Sequence, residues 1–422
     1  MHSWRDDLNL LRVPGVGLLF AGRTVNMLGL AFAPVALAFG ILDLPGGNAR
    51  LLSVVMASEA IPLVVFLLVG GALSDRLRRE RVLVASQLLA TLAHAVLAAL
   101  IAFGVTDPWA LGGAAALSGI GGAMGYPAMT GMIPQILPAD RLQDGNALLA
   151  FGVSIARIVG VVAAGAVTVA LGGAGGLAVS AAMYAVTAVI ASLLHPPAPA
   201  AGHGGTSLFA DMRAGWKEFT AHEWLWVVVA QWSLLIMCFN AAHEVLGPVV
   251  STDHYGGVRA WSLVLAGEAV GELAGVLVAL RWRPRHPILA PVIATAVALP
   301  VPFLLLGLGA PLPAVILAAV PMGLALMLFD VLWTTTMQRE VPHDALSRVS
   351  SYDAMGSFLL GPVGLLIAGP AVAQFGSRGP MLVCGLLLLV IAAAALLSRD
   401  VRQLEWTSEE PAAALVPERP DT

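Results

Sequence analysis

The sequence predicts an all-α polytopic membrane protein with twelve transmembrane helices in two parallel six-helix repeats, and three observations lead there. Of the 422 residues, 58% are hydrophobic and only 11% are charged, whereas a soluble domain carries about 25% charged residues. The apolar residues form long stretches without a charge, and the cations between them fall mainly on one side. With only two cysteines, a disulfide scaffold is excluded together with a soluble enzyme and a disordered chain.

The charge-free stretches give the predicted spans. Residues Val82–Thr106 contain no Asp, Glu, Lys or Arg over 25 residues, and His286–Phe329 contain none over 44. A helix needs about 20 apolar residues to cross the hydrocarbon layer, so the second stretch holds two helices. Strands are excluded because an open sheet edge has no hydrogen-bond partners in lipid. The predicted spans are residues 14–42, 51–73, 82–104, 109–133, 145–170, 174–194, 224–250, 259–280, 287–309, 313–336, 350–373 and 379–398.

The cations predict the orientation. An even number of spans places both termini on one side, and seventeen of the 22 Lys and Arg residues fall on that side. Only Arg50, Arg259 and Arg378 fall on the other side, while Arg23 and Arg157 lie inside spans. Because cytoplasmic loops carry an excess of cations, the sequence predicts a multi-pass protein of the cell (cytoplasmic) membrane with both termini in the cytoplasm.

The spans divide into two halves around a polar linker. The linker opens with a proline-rich run that no helix crosses and continues as an amphipathic helical pattern. The predicted domains are an N-terminal six-helix bundle (1–194), a cytoplasmic linker with an amphipathic helix (195–222), a C-terminal six-helix bundle (223–400) and a disordered cytoplasmic tail (401–422). An offset of 204 residues places Pro138-x-Asp140 on Pro342-x-Asp344, as expected for a parallel transporter repeat.

The loop after the second span carries a familiar motif. Gly71-Ala-Leu-Ser-Asp75-Arg76-Leu-Arg-Arg79 resembles the signature of the major facilitator superfamily, Gly-x-x-x-Asp-Arg-x-Gly-Arg. The sequence departs from it at Arg78, where the family has glycine. In the second half, Ala279 stands in place of the aspartate.

A narrower resemblance covers residues 133–148, their copy at 337–349 and Gly361-Pro362-x-Gly364. These segments are similar to the superfamily branch that contains macrolide efflux proteins and the enterobactin exporter, which are drug:proton antiporters. The resemblance extends over about residues 10–400. It implies the major facilitator fold and transport by alternating access.

The resemblance also implies two mechanical elements. Gly71, Asp75, Arg76 and Arg79 would form a conformational latch between the halves, with Asp75 facing the start of the eleventh span near 350–353. The alternative is that these arginines only anchor the loop at the membrane surface. A gate of glycines and proline comprises Gly160, Gly361, Pro362 and Gly364.

Ionisable residues inside the spans are the candidates for energy coupling, because each costs at least about 2.5–3.5 kcal/mol to insert. The predicted proton-coupling residues are Glu59, Glu268, Glu272 and Asp330, and their predicted charge partners are Arg23 and Arg157. The alternatives are structural: a buried ion pair between Arg23 and Glu59, a pair between Glu268 and Arg157, or a helix cap at Asp330. His243 and Glu244 are placed at the outer rim of the seventh span.

Large apolar and amide side chains near the middle of the spans are the candidates for a substrate cavity. They are Asn26, Met27, Met56, Phe151, Trp232, Asn240, Phe329 and Trp333. The alternative is ordinary packing or contact with lipid.

No nucleotide loop, metal cluster or catalytic triad is evident in the sequence, so we expect neither enzyme activity nor a cofactor, and a proton gradient as the energy source. The predicted function is a proton-coupled exporter, an antiporter, of a small amphiphilic drug or secondary metabolite, as in multidrug resistance. The expected partners are that small molecule and membrane lipids, without nucleic acid, around a monomer. The alternatives are a siderophore or nutrient facilitator or importer of the same fold, and a non-transporting membrane sensor or scaffold.

Asp75→Asn should lower transport without lowering the amount of protein in the membrane, because an amide interacts more weakly than a carboxylate with the positive end of a helix. Efflux from a pump-deficient host and an immunoblot of its membranes measure the two quantities. Asp421→Asn, in the predicted tail, is the matched control. Undiminished efflux by Asp75→Asn would support the surface-anchor alternative.

Overall fold

The computed structural model describes residues 10–13, 15–136, 142–194, 208–282 and 284–405, and these residues form helices and connecting loops without a strand. The helices of the first half are α1 (Val16–Leu42), α2 (Ala49–Arg76), α3 (Arg79–Ala102), α4 (Pro108–Ile136) and α5 (Leu142–Ser192). The second half begins with the amphipathic helix α6 (Leu208–Ala221).

The helices that follow are α7 (Glu223–Asn240), α8 (Gly247–His254), α9 (Val258–Arg281), α10 (Leu289–Ala298), α11 (Val301–Leu308), α12 (Leu312–Glu340), α13 (His343–Phe358), α14 (Gly361–Phe375), α15 (Arg378–Ala394) and α16 (Arg399–Gln403). A π-helical turn, Ala241–Leu246, joins α7 to α8 in one continuous segment. This segment, Glu223–His254, is 32 residues long and extends past the predicted end of the seventh span at residue 250.

Ten helical segments of the described chain are long and apolar enough to cross a membrane, and the prediction of an all-α multi-pass protein is confirmed. One of them, Leu148–Ser192, has 45 residues and turns at Gly172, where φ is 72°, a left-handed value that favours glycine. That length suits two passes. The helix α4, with 29 residues, is not among the ten. The count of twelve therefore stays a prediction, which these two elements support.

Each half packs through its own helix pairs, and two further pairs supply most of the contact between the halves. In the first half α1 packs on α5 and α2 on α4, while in the second half α9 packs on α12. Across the halves, α2 contacts α14 and α5 contacts α9. The division into the domains 1–194, 195–222, 223–400 and 401–422 stays a prediction, and residues 195–207 and 406–422 of it lie outside the described chain.

Two close approaches between the described residues of the halves lie toward one end of the bundle. A Cβ added to Gly369 of α14 would come within 2.6 Å of the carbonyl oxygen of Ala49, the first residue of α2, and one added to Gly165 of α5 would overlap Ser262 near the start of α9. We call this the far end, since it holds the loops 43–48 and 255–257. The opposite end, which holds Arg78 and Arg285, is called the arginine-rich end.

A glycine stripe positions α9 against α12. A Cβ at Gly267 would lie 2.8 Å from the carbonyl oxygen of Ile316, and one at Gly275 would lie 2.7 Å from that of Leu324. At Gly271, between them, an added Cβ would overlap the carbonyl of Val320. The sequence predicts this backbone contact, because glycines at four-residue spacing let two helices touch.

Gly271→Ala should destabilise the protein, because the methyl group has no space beside Val320 and overpacking costs about 1–3 kcal/mol. Gly113→Ala is the matched control, since a Cβ at Gly113 of α4 meets nothing within 4 Å. That control should stabilise its helix by up to about 1 kcal/mol. Thermal unfolding of the two purified variants should therefore shift in opposite directions from wild type, and shifts of the same sign would contradict the packing argument.

Candidate functional site

A cluster of ionisable side chains lies where the two halves face each other. Arg157 Nη2 of α5 is 2.9 Å from Glu272 Oε1 of α9. His243 of the π-helical turn places Nε2 2.9 Å from Glu268 Oε2 and Nδ1 3.1 Å from Glu244 Oε1. These five residues, the charged cluster, join one helix of the first half to two elements of the second.

The helix α9 supplies two of the carboxylates because of its sequence spacing. Glu268 and Glu272 are four residues apart and therefore stack on one face of the helix. The contact of α9 with α12 is closest beside them, where a Cβ on Gly323 of α12 would overlap the carbonyl oxygen of Glu268. The backbone of α9 is thus held rigidly against α12, and both carboxylates are buried.

His243 bonds to a carboxylate through each ring nitrogen, and this fixes the proton count of the group. A neutral imidazole has one donor and one acceptor nitrogen, whereas the imidazolium has two donors. With Glu244 and Glu268 both ionised, both contacts are hydrogen bonds only if His243 is cationic. With His243 neutral, one carboxyl must carry the proton. Either way the three residues share a net charge of −1, and losing one more proton would break a hydrogen bond.

The rim position predicted for His243 and Glu244 is wrong. The ring of His243 stacks on Phe239 with centroids 4.8 Å apart and meets the edge of Trp261 at 5.6 Å. Two features place it in the interior: the segment continues to His254, and the π-helical turn adds a residue per turn that rotates the side chain toward α9. Hydrophobic periodicity carries no signal for such a turn, so the sequence analysis placed His243 at the rim.

Glu59 is the ionisable residue of the first half that corresponds to this cluster. Its Oε1 accepts a hydrogen bond from Ser118 Oγ of α4 at 2.8 Å, and it lies near enough to Glu244 for the two charges to interact. A Cβ on Gly119 of α4 would overlap the carbonyl oxygen of Glu59, the same relation that Gly323 has to Glu268. Gly119 and Gly323 are related by the repeat offset of 204.

The two halves therefore place one glutamate each at equivalent helix crossings. Arg23, the predicted partner of Glu59, is also engaged in interactions within the structure. The described partner of Glu59 is Ser118, whose hydroxyl the sequence analysis did not single out. The neighbouring Asn26 donates to Gln87 Oε1 at 3.0 Å, which ties α1 to α3.

Asp330 of α12 has an exposed side chain and lies near enough to Glu272 and Asp353 for their charges to interact. Asp353 of α13 accepts a hydrogen bond from Trp333 Nε1 at 3.2 Å. Acidic groups thus continue from the charged cluster toward the arginine-rich end.

The predicted cavity residues divide into two groups. Trp232 and Phe329 stack with ring centroids 4.3 Å apart, and Phe329 and Trp333 stack at 5.9 Å. These rings form one aromatic wall between α7 and α12, in which Phe329 and Trp333 are buried in a hydrophobic cluster and Trp232 is half-buried. Asn240 ends α7, the helix that carries Trp232, and packs close to Gly361 of α14. Met56 is buried in the hydrophobic core, Met27 is half-buried, and Phe151 is exposed.

The predicted gate residues pack closely against neighbouring helices. A Cβ at Gly160 would lie 2.8 Å from Ala31 of α1, and one at Gly364 would overlap the carbonyl oxygen of Met237 of α7. Pro362 occupies the first turn of α14, where its missing N–H costs no hydrogen bond. Gly361, just before it, faces Asn240.

The predicted latch stays a prediction. The backbone of Gly71, Asp75 and Arg76 ends α2, but their side chains lie outside the described part of the structure. Arg79 begins α3 and is engaged in interactions. The helices α2 and α13 do contact each other, as a latch between these elements requires.

Comparisons with known proteins agree with this architecture. The Major Facilitator Superfamily model matches residues 16–365. The multidrug efflux pump Tap of Mycolicibacterium fortuitum is 26% identical over 418 residues, which cover 95% of this chain and 99% of that protein. Macrolide efflux protein A of Streptococcus pyogenes is 25% identical over 399 residues, covering 92% of this chain and 96% of that protein.

The enterobactin exporter EntS of Shigella boydii is 25% identical over 421 residues, covering 92% of this chain and 95% of that protein. Among solved structures, the nucleoside transporter NupG superposes with a TM-score of 0.72 at 15% identity, over 93% of this chain and 100% of that chain. The predicted resemblance is confirmed, and the chain belongs to the major facilitator superfamily.

Proposed function

We propose that this protein exports a small amphiphilic drug or secondary metabolite across the cytoplasmic membrane in exchange for protons. The observation that carries the proposal is the Arg157–Glu272 ion pair at 2.9 Å, which joins the two halves through a titratable group. The relatives named as a multidrug efflux pump, a macrolide efflux protein and an enterobactin exporter support the direction and the substrate class.

The cation distribution supports the orientation of the proposed exporter. With seventeen cations beside the termini, the arginine-rich end is the cytoplasmic end. The close contacts at Gly165 and Gly369 then lie at the outer side. A monomer in a lipid bilayer, without nucleic acid or a cofactor, carries out the whole cycle.

In this conformation Glu272 pairs with Arg157, which requires an ionised carboxylate. That state suits an antiporter that has released its proton to the cytoplasm and is ready for substrate. In the outward-facing state, a proton from outside would neutralise Glu272 and weaken its attraction to Arg157. Because exchange of the proton and opening of the α5–α9 contact involve the same pair, each biases the other.

The exposed side chains of α5, α7 and α12 indicate the chemistry of the substrate. The side chain of Arg157 is 44% exposed, against 11% for Glu272, so the pair borders an open space. The half-buried Trp232 suits flat apolar groups, and the exposed Asp330 suits a cationic group. An amphiphile with an apolar body and a basic nitrogen matches both surfaces.

The ion pair can be tested by a double-mutant cycle of Arg157→Gln and Glu272→Gln, with thermal unfolding as the measurement. We expect the two substitutions to be non-additive, with a coupling energy in the range of about 0.5–3 kcal/mol found for residues in contact. The control cycle is Arg285→Gln with Glu405→Gln, because that pair has a similar distance of 3.1 Å on the exposed surface. Exposed pairs contribute about 0–1 kcal/mol, and equal coupling in the two cycles would contradict a special role for Arg157.

Proton coupling can be tested in everted membrane vesicles with ethidium and erythromycin as probes. An imposed pH gradient, acidic inside, should drive uptake by wild type. Glu272→Gln and Glu268→Gln should lose at least about tenfold of that uptake, because an amide cannot carry the exchanged proton. Glu405→Gln, an exposed carboxylate at the arginine-rich end, should retain it. Uptake of a probe that does not respond to the gradient would exclude proton coupling.

A further inference from the structure

The two carboxylates bonded to His243 differ in how deeply they are buried. The side chain of Glu268 is 6% exposed, whereas that of Glu244 is 29% exposed. Glu244 also lies near enough to Glu59 of α2 for the two charges to interact. Because Glu59 belongs to the first half, Glu244 faces the space between the halves. Of the three residues Glu244, His243 and Glu268, which we call the His243 group, Glu244 is the one that a solute can approach.

Aromatic contacts hold the ring of His243 in place. Phe239 stacks on the ring at 4.8 Å, and Trp261 meets it edge-on at 5.6 Å. The ring therefore stays in its plane, with Nε2 directed at Glu268 and Nδ1 directed at Glu244. A change in the number of protons is thus expressed in these two hydrogen bonds and not in a rotation of the ring.

Burial decides which hydrogen bond breaks when the His243 group loses a proton. A carboxylate without a partner costs more the further it lies from water, so the bond to Glu268 is kept, with Nε2–H as its donor. The bond between Nδ1 and Glu244 is the one that is lost. The proton that these two groups share leaves for solvent, and the carboxylate of Glu244 is then ionised and no longer bonded to the ring.

The charges that face the His243 group come from three helices. Arg157 of α5 and Glu272 of α9 are paired with each other and lie near enough to Glu268 for their charges to interact. Glu59 of α2 faces Glu244 but is itself an acid. The helix α14, which also packs on the π-helical turn, carries no ionisable residue. Among the described residues, Arg157 therefore compensates Glu268, whereas an ionised Glu244 released from the ring attracts a cation from the space between the halves.

We propose that Glu244 is the counter-ion for a monocationic substrate, whose positive charge replaces the proton shared by Glu244 and His243. Before binding, the His243 group carries one net negative charge. After binding, the proton has left for solvent, and the neutral ring, the two carboxylates and the substrate cation again sum to one negative charge. The proposal rests on the proposed export function and adds to it a residue that selects cations.

This proton is distinct from the one assigned to Glu272. Protonation of Glu272 weakens its pair with Arg157, which joins the halves. Replacement of the proton on the His243 group by a cation leaves that pair intact. In the conformation in which Arg157 and Glu272 are paired, binding of a cation should therefore release a proton that does not come from Glu272.

Ethidium, a permanent monocation, tests the proposal with the purified full-length protein in detergent. Titration of the weakly buffered protein with ethidium should release up to about one proton per ethidium bound, measured with a pH indicator. Because the bound proton opposes the cation, the affinity for ethidium should fall as the pH falls, by up to about tenfold per pH unit. It should become constant at the pH where the proton has already left.

Three variants separate the roles of the residues. Glu244→Gln should release no proton and should weaken ethidium binding by about tenfold, since one charged partner is lost. His243→Gln should bind ethidium without releasing a proton, with an affinity that no longer follows pH, which loss of a purely structural ring would not produce. Glu405→Gln, an exposed carboxylate at the arginine-rich end, should match wild type in both measurements.

Four results would overturn the proposal: no ethidium binding by wild type, binding by wild type without proton release, wild-type affinity in Glu244→Gln, or wild-type proton release in His243→Gln. Loss of proton release in Asp330→Asn, with His243→Gln unaffected, would assign the proton to α12 instead. The measurement on wild type decides even where a variant fails to fold, which thermal unfolding without ethidium detects.

The export function and this inference can fail separately. Gradient-driven uptake into everted vesicles, without proton release when ethidium binds to the purified protein, would reject the role of Glu244 and leave proton-coupled export standing. Proton release on binding, together with uptake that ignores the gradient, would reject the coupling and leave the cation site standing.

Discussion

Charge compensation in a low-dielectric medium is the constraint on which the interior of this protein depends. A lone ionised side chain in a span is expensive, and the second half carries several close together. The structure meets that cost locally, with His243 between two carboxylates and Arg157 of the other half beside a third. Because the last compensating cation comes from the opposite half, the charge balance of α9 depends on how the halves are arranged.

Glycine residues hold the helices that carry these carboxylates in fixed positions. The carboxylates sit on helices whose backbones touch a neighbour at glycine: Gly119 beneath Glu59, and Gly323 beneath Glu268. A helix in backbone contact cannot shift to soften an unfavourable charge, since packed interiors behave as solids and not as liquids. A change in protonation of Glu272 therefore acts on its ion pair with Arg157, which joins the halves.

Much of the fold could be predicted from the sequence, because lipid imposes simple rules. Charge-free stretches, glycine spacing and the four-residue separation of Glu268 and Glu272 all have direct physical meanings, and the close packing of α9 through its glycines follows from them, but its partner α12 does not. The partners of the buried charges could not be predicted, because periodicity places a residue on a face but not at a depth. The error at His243 shows this: a π-helical turn and a few further residues of helix converted an expected rim position into the centre of the site.

The contact between α5 and α9 combines charge compensation with close packing at glycine. Toward the arginine-rich end it holds the titratable pair of Arg157 and Glu272, and toward the far end it holds Gly165. On α5, Gly165 permits close approach to Ser262 of α9 without a side chain of its own, so the pair of helices can separate without breaking an interlocked apolar core. An interface held by a charge pair and a glycine contact is easier to open than one of interdigitated leucines. For that reason we assign to this contact the movement that converts one access state into the other.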